Sequence, residues 1–480
     1  MYDIYAALVR ERRFKYEVSL LTIKDFKQKA KNMKIAVIGI GVSNLPLIRM
    51  LADCGAVICA YDKRTKEQLG EVYDELCSLN VDMVLGENYL DKIADGTEMV
   101  FKTPGVRCDM PAIIEAEKNG AVISSEMELF FEVCPAKIIA VTGSDGKTTT
   151  TSLIYDMLKR GGYNCYLGGN IGRPLLCDAE NMTADDIAVV ELSSFQLHTM
   201  KKSADIAVIT NVTPNHLDWH TDFNEYAESK KAIFKYQGSG GRVILNFDNG
   251  ITRNFGEGTD GATYFSSKEA VSNGYCLKDG KIIRVCDGEF KDEVLDINTI
   301  YIPGMHNVEN YMAAAGAVEG LVSDDVIRTT AVEFKGVPHR IEFIRELDGV
   351  KYYNDSIASS PARTTAGLES FGEKKVILIA GGYDKKIPFD DFGAVVNDHV
   401  KKLVLVGATS EKIESAVKGA ANYSNLPIYR LTDFKEAAEK ARDIAESGDI
   451  VILSPACASF DLFKNFEVRG DTFKEIVKGF

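Results

Sequence analysis

The chain has no apolar run of about 18 residues, no CxxC pair, no low-complexity tract, no solenoid repeat and no excess of positive charge. The first absence excludes a membrane-spanning helix of ordinary length. The opening stretch MYDIYAALVRERRFKYEVSLLTIKDFKQKAKNMK is charged throughout and lacks the apolar segment of a signal peptide, so a cytoplasmic protein with a helical N-terminal extension over residues 1–32 is expected. The ten cysteines are scattered singly, several in apolar segments (Cys54, Cys59, Cys165, Cys457), which argues against a disulfide framework or a zinc site and fits reduced, buried thiols. A formal net charge of −14 sets the average surface against phosphate polyanions, so no nucleic acid and no membrane are expected as partners. Small anionic substrates are compatible with that charge where lysines, arginines and helix N-termini hold them locally.

What is present is a soluble enzyme's composition, 45% hydrophobic and 26% charged, in 480 residues. That is too long for one core, and about three domains are expected. From Lys34, KIAVIGIGVSNLPLIRMLADCGAVICAYD reads strand, turn, helix, strand. Ile35 to Ile38 form a short β-branched run of the kind buried on both faces, Gly39 and Gly41 supply the turn, and Gly55 ends the helix. Asn44 stands where the third glycine of GxGxxG is expected, so this fragment fits either a nucleotide site or plain βα geometry. A second α/β unit begins at KIIAVTG and a third near GVPHRIEF, with strands KVILIAGG, KLVLVGA and DIVILSPA. Between them, residues 238 to 302 are richer in Gly, Asn and Asp, with short alternating strands such as GYCLKDGKIIRV. The alternation predicts mostly parallel sheets with ligands at the carboxyl ends of the strands.

The most informative stretch is AVTGSDGKTTTTSLIYDML, residues 140 to 158. It reads as a strand from Ile138 to Thr142, a loop from Gly143 to Gly146, and a helix from Thr148 onward that buries Leu153, Ile154, Met157 and Leu158. Backbone N–H groups of such a loop (Gly143, Ser144, Asp145, Gly146) converge on a phosphate, Lys147 neutralises β- and γ-oxygens, and Thr148, followed by Thr149, offers a hydroxyl to magnesium. Val141 occupies the place of the first glycine in the usual pattern. Downstream, AVVELSSFQL puts Glu191 at the end of an apolar strand, where a carboxylate needs a cation or a partner. AVITNVTPNHLDWH places Asn211, Asn215, His216 and Asp218 at a second strand end. Alone, His216 reads as structural; beside a phosphate loop and Glu191 it reads as a ligand.

The motifs TGSDGKT, GGNIG, ELSSFQL, NVTPNHLD, HNVEN, GVPHRIE, NDSIASSP, GGYDK and LSPACASFDLFKNFEVRGDTF together resemble the Mur ligases of peptidoglycan synthesis, over residues 39 to 473. The central motifs are shared with folylpolyglutamate synthase; SPACASFDLFKNFEVRG points to the branch that adds D-glutamate to UDP-N-acetylmuramoyl-L-alanine. The resemblance implies an α/β fold of three domains: a Rossmann-like UDP-binding domain over 33–131, a P-loop ATPase-like domain over 132–335, and a Rossmann-like C-terminal domain over 336–480. It implies an ATP-dependent ligase, with two magnesium ions, that works through an acyl phosphate, and a monomer is expected.

By the same resemblance, Lys147, Asn170, His216 and Lys230 are catalytic, Lys230 being the lysine that the family carbamylates. Thr148, Glu191, His216 and Lys230 serve the metal ions. Asn307, Asn310, Arg340 and Asp355 join the phosphate loop in holding ATP. Ser43, Asp62, Thr103 and Gly105 contact the uridine diphosphate, and Ser359, Lys385, Ser459 and Phe466 hold D-glutamate. Three positions depart from the common pattern: Asp145 stands for Asn, Asn215 for Asp, and Ile357 for Lys. Two readings come from other classes: a nicotinamide-dependent oxidoreductase built on the first glycine turn, which leaves the second and third units unexplained, and a P-loop switch or motor, which would hydrolyse ATP without small-molecule acceptors.

Overall fold

A computed structural model describes residues 21–217, 219–384 and 387–480. Two compact units divide the chain, one comprising the residues through Ile297 together with Glu309–Arg328, the other Asn298–Val308 with Thr329–Phe480.

The first unit carries two sheets. In the first sheet, strands β1 (Lys34–Ile38), β2 (Val57–Asp62), β3 (Asp82–Leu85), β4 (Met99–Lys102) and β5 (Val122–Ser124) lie in the order β3-β2-β1-β4-β5, all parallel. Along β1, Ile35 and Val37 enter one core and Ala36 and Ile38 another, which is why its sequence is an unbroken apolar run. The order reverses at β1, so the turns after β1 and β4 flank the crevice where such sheets bind ligands. Before this sheet, the helix Ile23–Ala30 is opened by a capping box between Thr22 and Asp25 and buries Ile23, Phe26 and Ala30, with Phe26 edge-on to Phe101 at 6.2 Å.

The second sheet has nine strands: β6 (Lys137–Thr142), β7 (Cys165–Gly169), β8 (Ile187–Glu191), β9 (Ile206–Ile209), β10 (Arg242–Asn246), β11 (Ala262–Ser266), β12 (Gly274–Lys278), β13 (Lys281–Cys286) and β14 (Glu289–Asp296). Their order is β14-β13-β12-β11-β10-β9-β6-β8-β7. The segment rich in Gly, Asn and Asp forms the antiparallel pairs β12–β13 and β13–β14; the other pairings are parallel. The helix Lys147–Arg160 covers β6 and buries Leu153, Ile154, Met157 and Leu158 completely, each burial being worth roughly 1.5–3 kcal/mol. Val141 is an ordinary core residue of β6.

In the second unit, β15 (Glu342–Leu347), β16 (Val350–Asn354), β17 (Val376–Ala380), β18 (Val400–Val406), β19 (Ile428–Leu431) and β20 (Ile450–Leu453) lie in the order β15-β16-β20-β17-β18-β19, antiparallel only at β15–β16. Residues of β17 alternate between two cores, Val376, Leu378 and Ala380 on one face and Ile377 and Ile379 on the other.

Candidate active site

At the carboxyl end of β6 the chain turns through Gly143 and Gly146 into the helix Lys147–Arg160. Gly143 has φ +152° and a Cβ there would lie 1.9 Å from Thr210 Oγ1, so only glycine fits. Neighbouring strand ends hold the loop in place. Ser144 N–H donates to the Asn211 carbonyl (2.9 Å), Asp145 N–H to Asn211 Oδ1 (2.9 Å), and Ser144 Oγ meets Tyr226 OH (2.8 Å). Asp145 is exposed; its backbone, not its carboxylate, shapes the loop. Thr148 and Thr149 are buried on the first turn, and the Thr150 hydroxyl donates to Asn310 Oδ1 (3.1 Å).

Two lysines meet over the loop. Lys147 Nζ donates to the Gly143 and Ser144 carbonyls at 2.9 and 2.8 Å. Lys230, on the helix Phe223–Lys235, is 1% exposed and also donates to the Gly143 carbonyl, at 2.9 Å, above the Tyr226 ring. Burial, reinforced by the Lys147 charge, pushes the Lys230 amine well below the usual lysine range.

Glu191 ends β8 and is buried. Its Oε1 accepts from Asn170 Nδ2 (2.9 Å), and Oε2 has no hydrogen-bond partner. Asn170 follows Gly169, whose Cβ would lie 2.2 Å from the Glu191 carbonyl, so β7 and β8 can close here only at glycine. Lone buried carboxylate oxygens are costly without a cation, and magnesium takes only one or two carboxylates beside phosphates and waters. The unpartnered Glu191 Oε2 fits magnesium on that ground, whereas Lys230, a hydrogen-bond donor to the Gly143 carbonyl, offers a metal no oxygen as an unmodified amine; among the described residues no cluster of three or more His, Cys, Asp or Glu side chains stands ready for a metal by itself. His216 is exposed, at φ 54°, and its ring lies 4.9 Å from Phe195. Asp218 lies outside the described residues.

At the first sheet, Ser43 precedes the helix Asn44–Asp53, and Thr103 follows β4, its N–H bonded to the Ile38 carbonyl (2.9 Å). The missing third glycine has a physical substitute: buried Asn44 donates from Nδ2 to the Ile38 and Gly39 carbonyls (3.0 and 2.9 Å) and braces the turn. Asp62 ends β2, accepts from Ile40 N–H (2.7 Å) and is forked by Arg64 at 2.9 and 2.7 Å. Gly105 and Thr103 form the turn after β4.

Three residues here were not singled out by the sequence. Arg107 donates from both Nη atoms to the Glu225 carboxylate (3.0 Å each) and from Nη1 to the Trp219 carbonyl (3.0 Å), with its guanidinium 4.9 Å from the Trp219 ring centroid. Trp219 Nε1 donates to the Gly105 carbonyl (2.9 Å). Glu225 also accepts from Thr221 N–H (2.8 Å), and the Arg107 hydrogen bonds hold its carboxyl far below the usual range. The signals were a single tryptophan in the chain and an arginine just after KTPG, neither informative without the fold.

The second unit carries the remaining candidates. Asn307 donates to the Pro303 carbonyl (2.6 Å). Arg340 lies between His339 (φ 63°) and Ile341 (φ 44°), a conformation strained for a β-branched residue, and its buried Nε has no partner. Asp355 accepts from Ser454 Oγ (2.7 Å) and Ile341 N–H (3.2 Å); burial pushes its carboxyl up to about 7. Ser359 and Cys457 line a small concavity with Tyr383 and Asp384, and Ser459 is buried nearby in sequence. Ile357 N–H is bonded to the His339 carbonyl (3.1 Å), and its side chain is half-buried. Lys385 lies outside the described residues. A residue the motif contained but the reading passed over is Arg469, 2% exposed, which donates to Ser356 Oγ and to the Ser356, Cys457 and Ala458 carbonyls (2.8–3.2 Å), while Ser356 Oγ donates to the Phe466 carbonyl (2.8 Å). It ties together the segments bearing Ser359, Ser459 and Phe466.

Comparison with known proteins matches residues 33–125 to the Mur ligase MurD-like N-terminal domain, 141–318 to the Mur ligase middle domain and 339–457 to the Mur ligase glutamate ligase domain. The chain is 54% identical over 460 residues to the UDP-N-acetylmuramoylalanine--D-glutamate ligase of Acetivibrio thermocellus, covering 95% of this chain and 98% of that protein. It is 52% identical over 455 residues to the ligase of the same name from Clostridium botulinum, covering 94% and 98%. Among solved structures, the UDP-N-acetylmuramate-alanine ligase of Thermotoga maritima superimposes with a TM-score of 0.58 at 18% identity over 93% of this chain and 99% of its own, and the MurF ligase of the same organism, in complex with ADP, with 0.54 at 18% identity over 94% and 97%. These structural likenesses establish the fold.

Proposed function

The chain belongs to the Mur ligase family, and from that premise we propose that it joins D-glutamate to UDP-N-acetylmuramoyl-L-alanine at the expense of ATP, as a monomer in the cytoplasm, in the synthesis of peptidoglycan precursors. The choice of amino acid is supported by the names of relatives at 50% identity or more over nearly the whole chain. Ten free cysteines accord with a reducing compartment. The structural observation that carries the chemistry is the buried Glu191 carboxylate, one oxygen unpartnered, at the strand end beside a phosphate loop that two lysines face.

In the reaction, an oxygen of the L-alanyl carboxylate attacks the γ-phosphorus of ATP and ADP departs. The uncharged amine of D-glutamate then attacks the carbonyl carbon of the resulting acyl phosphate, and the tetrahedral adduct gives up a proton from nitrogen and expels phosphate to leave the amide. Phosphoryl transfer is mostly positioning and electrostatics, and the chain's residues divide accordingly. The N–H groups from Gly146 to Thr149 and the Lys147 ammonium orient and neutralise the polyphosphate, while the Ser144 and Asp145 N–H groups, bonded to Asn211, hold the loop's shape instead of facing the phosphate. Magnesium, held by Thr148, Glu191, His216 and carbamylated Lys230, would neutralise charge developing on the transferred group. Asn170, fixed by Glu191, and His216 face the acyl phosphate. Asn307, Asn310, Arg340 and Asp355 take the nucleoside and phosphates, the unpartnered Arg340 Nε being a donor ready for an anion. Ser43, Asp62, Thr103 and Gly105 anchor the uridine diphosphate. Ser359, Lys385, Ser459 and Phe466 receive D-glutamate.

Phosphate release from ATP, measured with each acceptor omitted in turn, tests the reading. Release should require both UDP-N-acetylmuramoyl-L-alanine and D-glutamate, with D-alanine a poor replacement, since a site built for a second carboxylate leaves buried polar groups unpaired without it. Acceptor-independent release, or equal use of D-alanine, would overturn it.

A further inference from the structure

The turn that follows β4 is tied to the loop and helix of the second sheet by a compact polar joint. Arg107 lies two residues beyond Gly105, and its two Nη atoms form a fork on Glu225 at 3.0 Å each, five residues ahead of Lys230 on the helix Phe223–Lys235. The same guanidinium caps the Trp219 carbonyl and covers the indole face. The indole N–H returns the connection by donating to the Gly105 carbonyl at 2.9 Å. Behind Trp219, Phe195 packs edge-on at 4.8 Å and in turn meets the His216 ring at 4.9 Å. One arm of the joint thus ends at the helix of Lys230, the other at the ring of His216.

We propose that Arg107, acting with Trp219, is a positioning residue that fixes the span between the turn anchoring the sugar nucleotide and the groups serving the transferred phosphate. The inference rests on the functional reading above, in which Thr103 and Gly105 anchor the uridine diphosphate and His216 and Lys230 serve the phosphate. The physical reason is the geometry of the substrate. It is long, its two ends are held by different sheets, and its carboxylate must reach the γ-phosphorus within reacting distance. Anchoring both ends produces reaction only if the distance between anchors is set; a misplacement of about 1 Å costs on the order of 100-fold. A bidentate Arg–carboxylate fork sets direction as well as distance, which a lysine cannot reproduce. Arg107 itself need touch neither substrate nor nucleotide.

The test uses the full chain with Arg107→Ala, Arg107→Lys and, as a milder change that removes the indole donor and keeps an aromatic ring between Arg107 and Phe195, Trp219→Phe. Steady-state kinetics in all three substrates are combined with direct binding of UDP and of a non-hydrolysable ATP analogue, and thermal unfolding reports folding. Arg107→Ala should lower kcat about 10- to 100-fold, with Michaelis constants for ATP and D-glutamate, and binding of UDP and the ATP analogue, changed by no more than about threefold. Arg107→Lys should recover part of the loss, and Trp219→Phe should lower kcat by a smaller factor in the same pattern. Unchanged kcat in a folded Arg107→Ala or in Trp219→Phe overturns the proposal. So does a loss matched by weakened UDP binding, which would make Arg107 part of the UDP site. A wild-type chain that does not ligate the substrate overturns the functional reading, whereas an active wild type with fully active variants overturns the joint alone.

Discussion

Among single residues, Lys230 shows how burial makes chemistry. An ammonium at 1% exposure, close to a second lysine, is the disfavoured form, and on the function proposed above the neutral amine would be the nucleophile that adds carbon dioxide. The product would be an anionic oxygen ligand in place of a cation that repels magnesium. Replacing Lys230 by alanine should therefore reduce turnover at least about 100-fold, and formate or acetate should restore part of it. Carbon-13 bicarbonate should give a carbamate resonance in the wild type that Lys230→Ala lacks; a fully active variant refutes the assignment. Lys147 and Glu191 were legible in the sequence because they sit at a helix start and a strand end beside recognisable motifs, whereas Lys230, in the interior of the helix Phe223–Lys235, was named only through the family resemblance. Arg107, Glu225 and Arg469 were not, because their roles consist of bonds to carbonyls and side chains from 11 to more than a hundred residues away.

Elements were legible where their apolar period was clean. The strand read over Ile138 to Thr142 is found over Lys137–Thr142, and the helix after Gly146 starts one residue earlier than read, at Lys147. Strand order was not legible, since β6 lies between β8 and β9 through pairings that no local pattern encodes. Nor was the environment of the helix Glu126–Val133. Ser125 caps its start, and Glu126 on its first turn is buried and accepts from Leu176 N–H at 3.1 Å. Burial pushes this carboxyl from an ordinary 4.5 up to about 7. The sign follows: a carboxyl raised in the folded state contributes stability that is complete below about 4.5 and is lost as pH rises to about 7. Glu126→Gln keeps an acceptor for Leu176 and cannot ionise. Its melting temperature should match that of the wild type near pH 4 and exceed it by several degrees at pH 8, when both are followed by calorimetry. A constant difference across that range would show that Glu126 is not the titrating group.

For the molecule as a whole, the net charge of −14 opposes every substrate assigned to it, all of which are anions. Local cations act over contact distances, whereas the repulsive field is long-ranged and reaches about 30 Å at 0.01 M salt but only about 10 Å at 0.1 M. The association rate of UDP-N-acetylmuramoyl-L-alanine, followed by stopped flow at fixed magnesium, should therefore rise across this interval of ionic strength. A fall would mean that the local lysines and arginines dominate encounter as well as binding. One residue gives a direct view of such encounters. Trp219 is the chain's single tryptophan, and it stands between the Arg107 guanidinium and the Gly105 carbonyl. Light absorbed beyond the tyrosine band is thus emitted from that one place, so the intrinsic fluorescence of the unlabelled protein is a native optical gauge of the turn after β4, sensitive to the polarity and hydrogen bonding of a single indole.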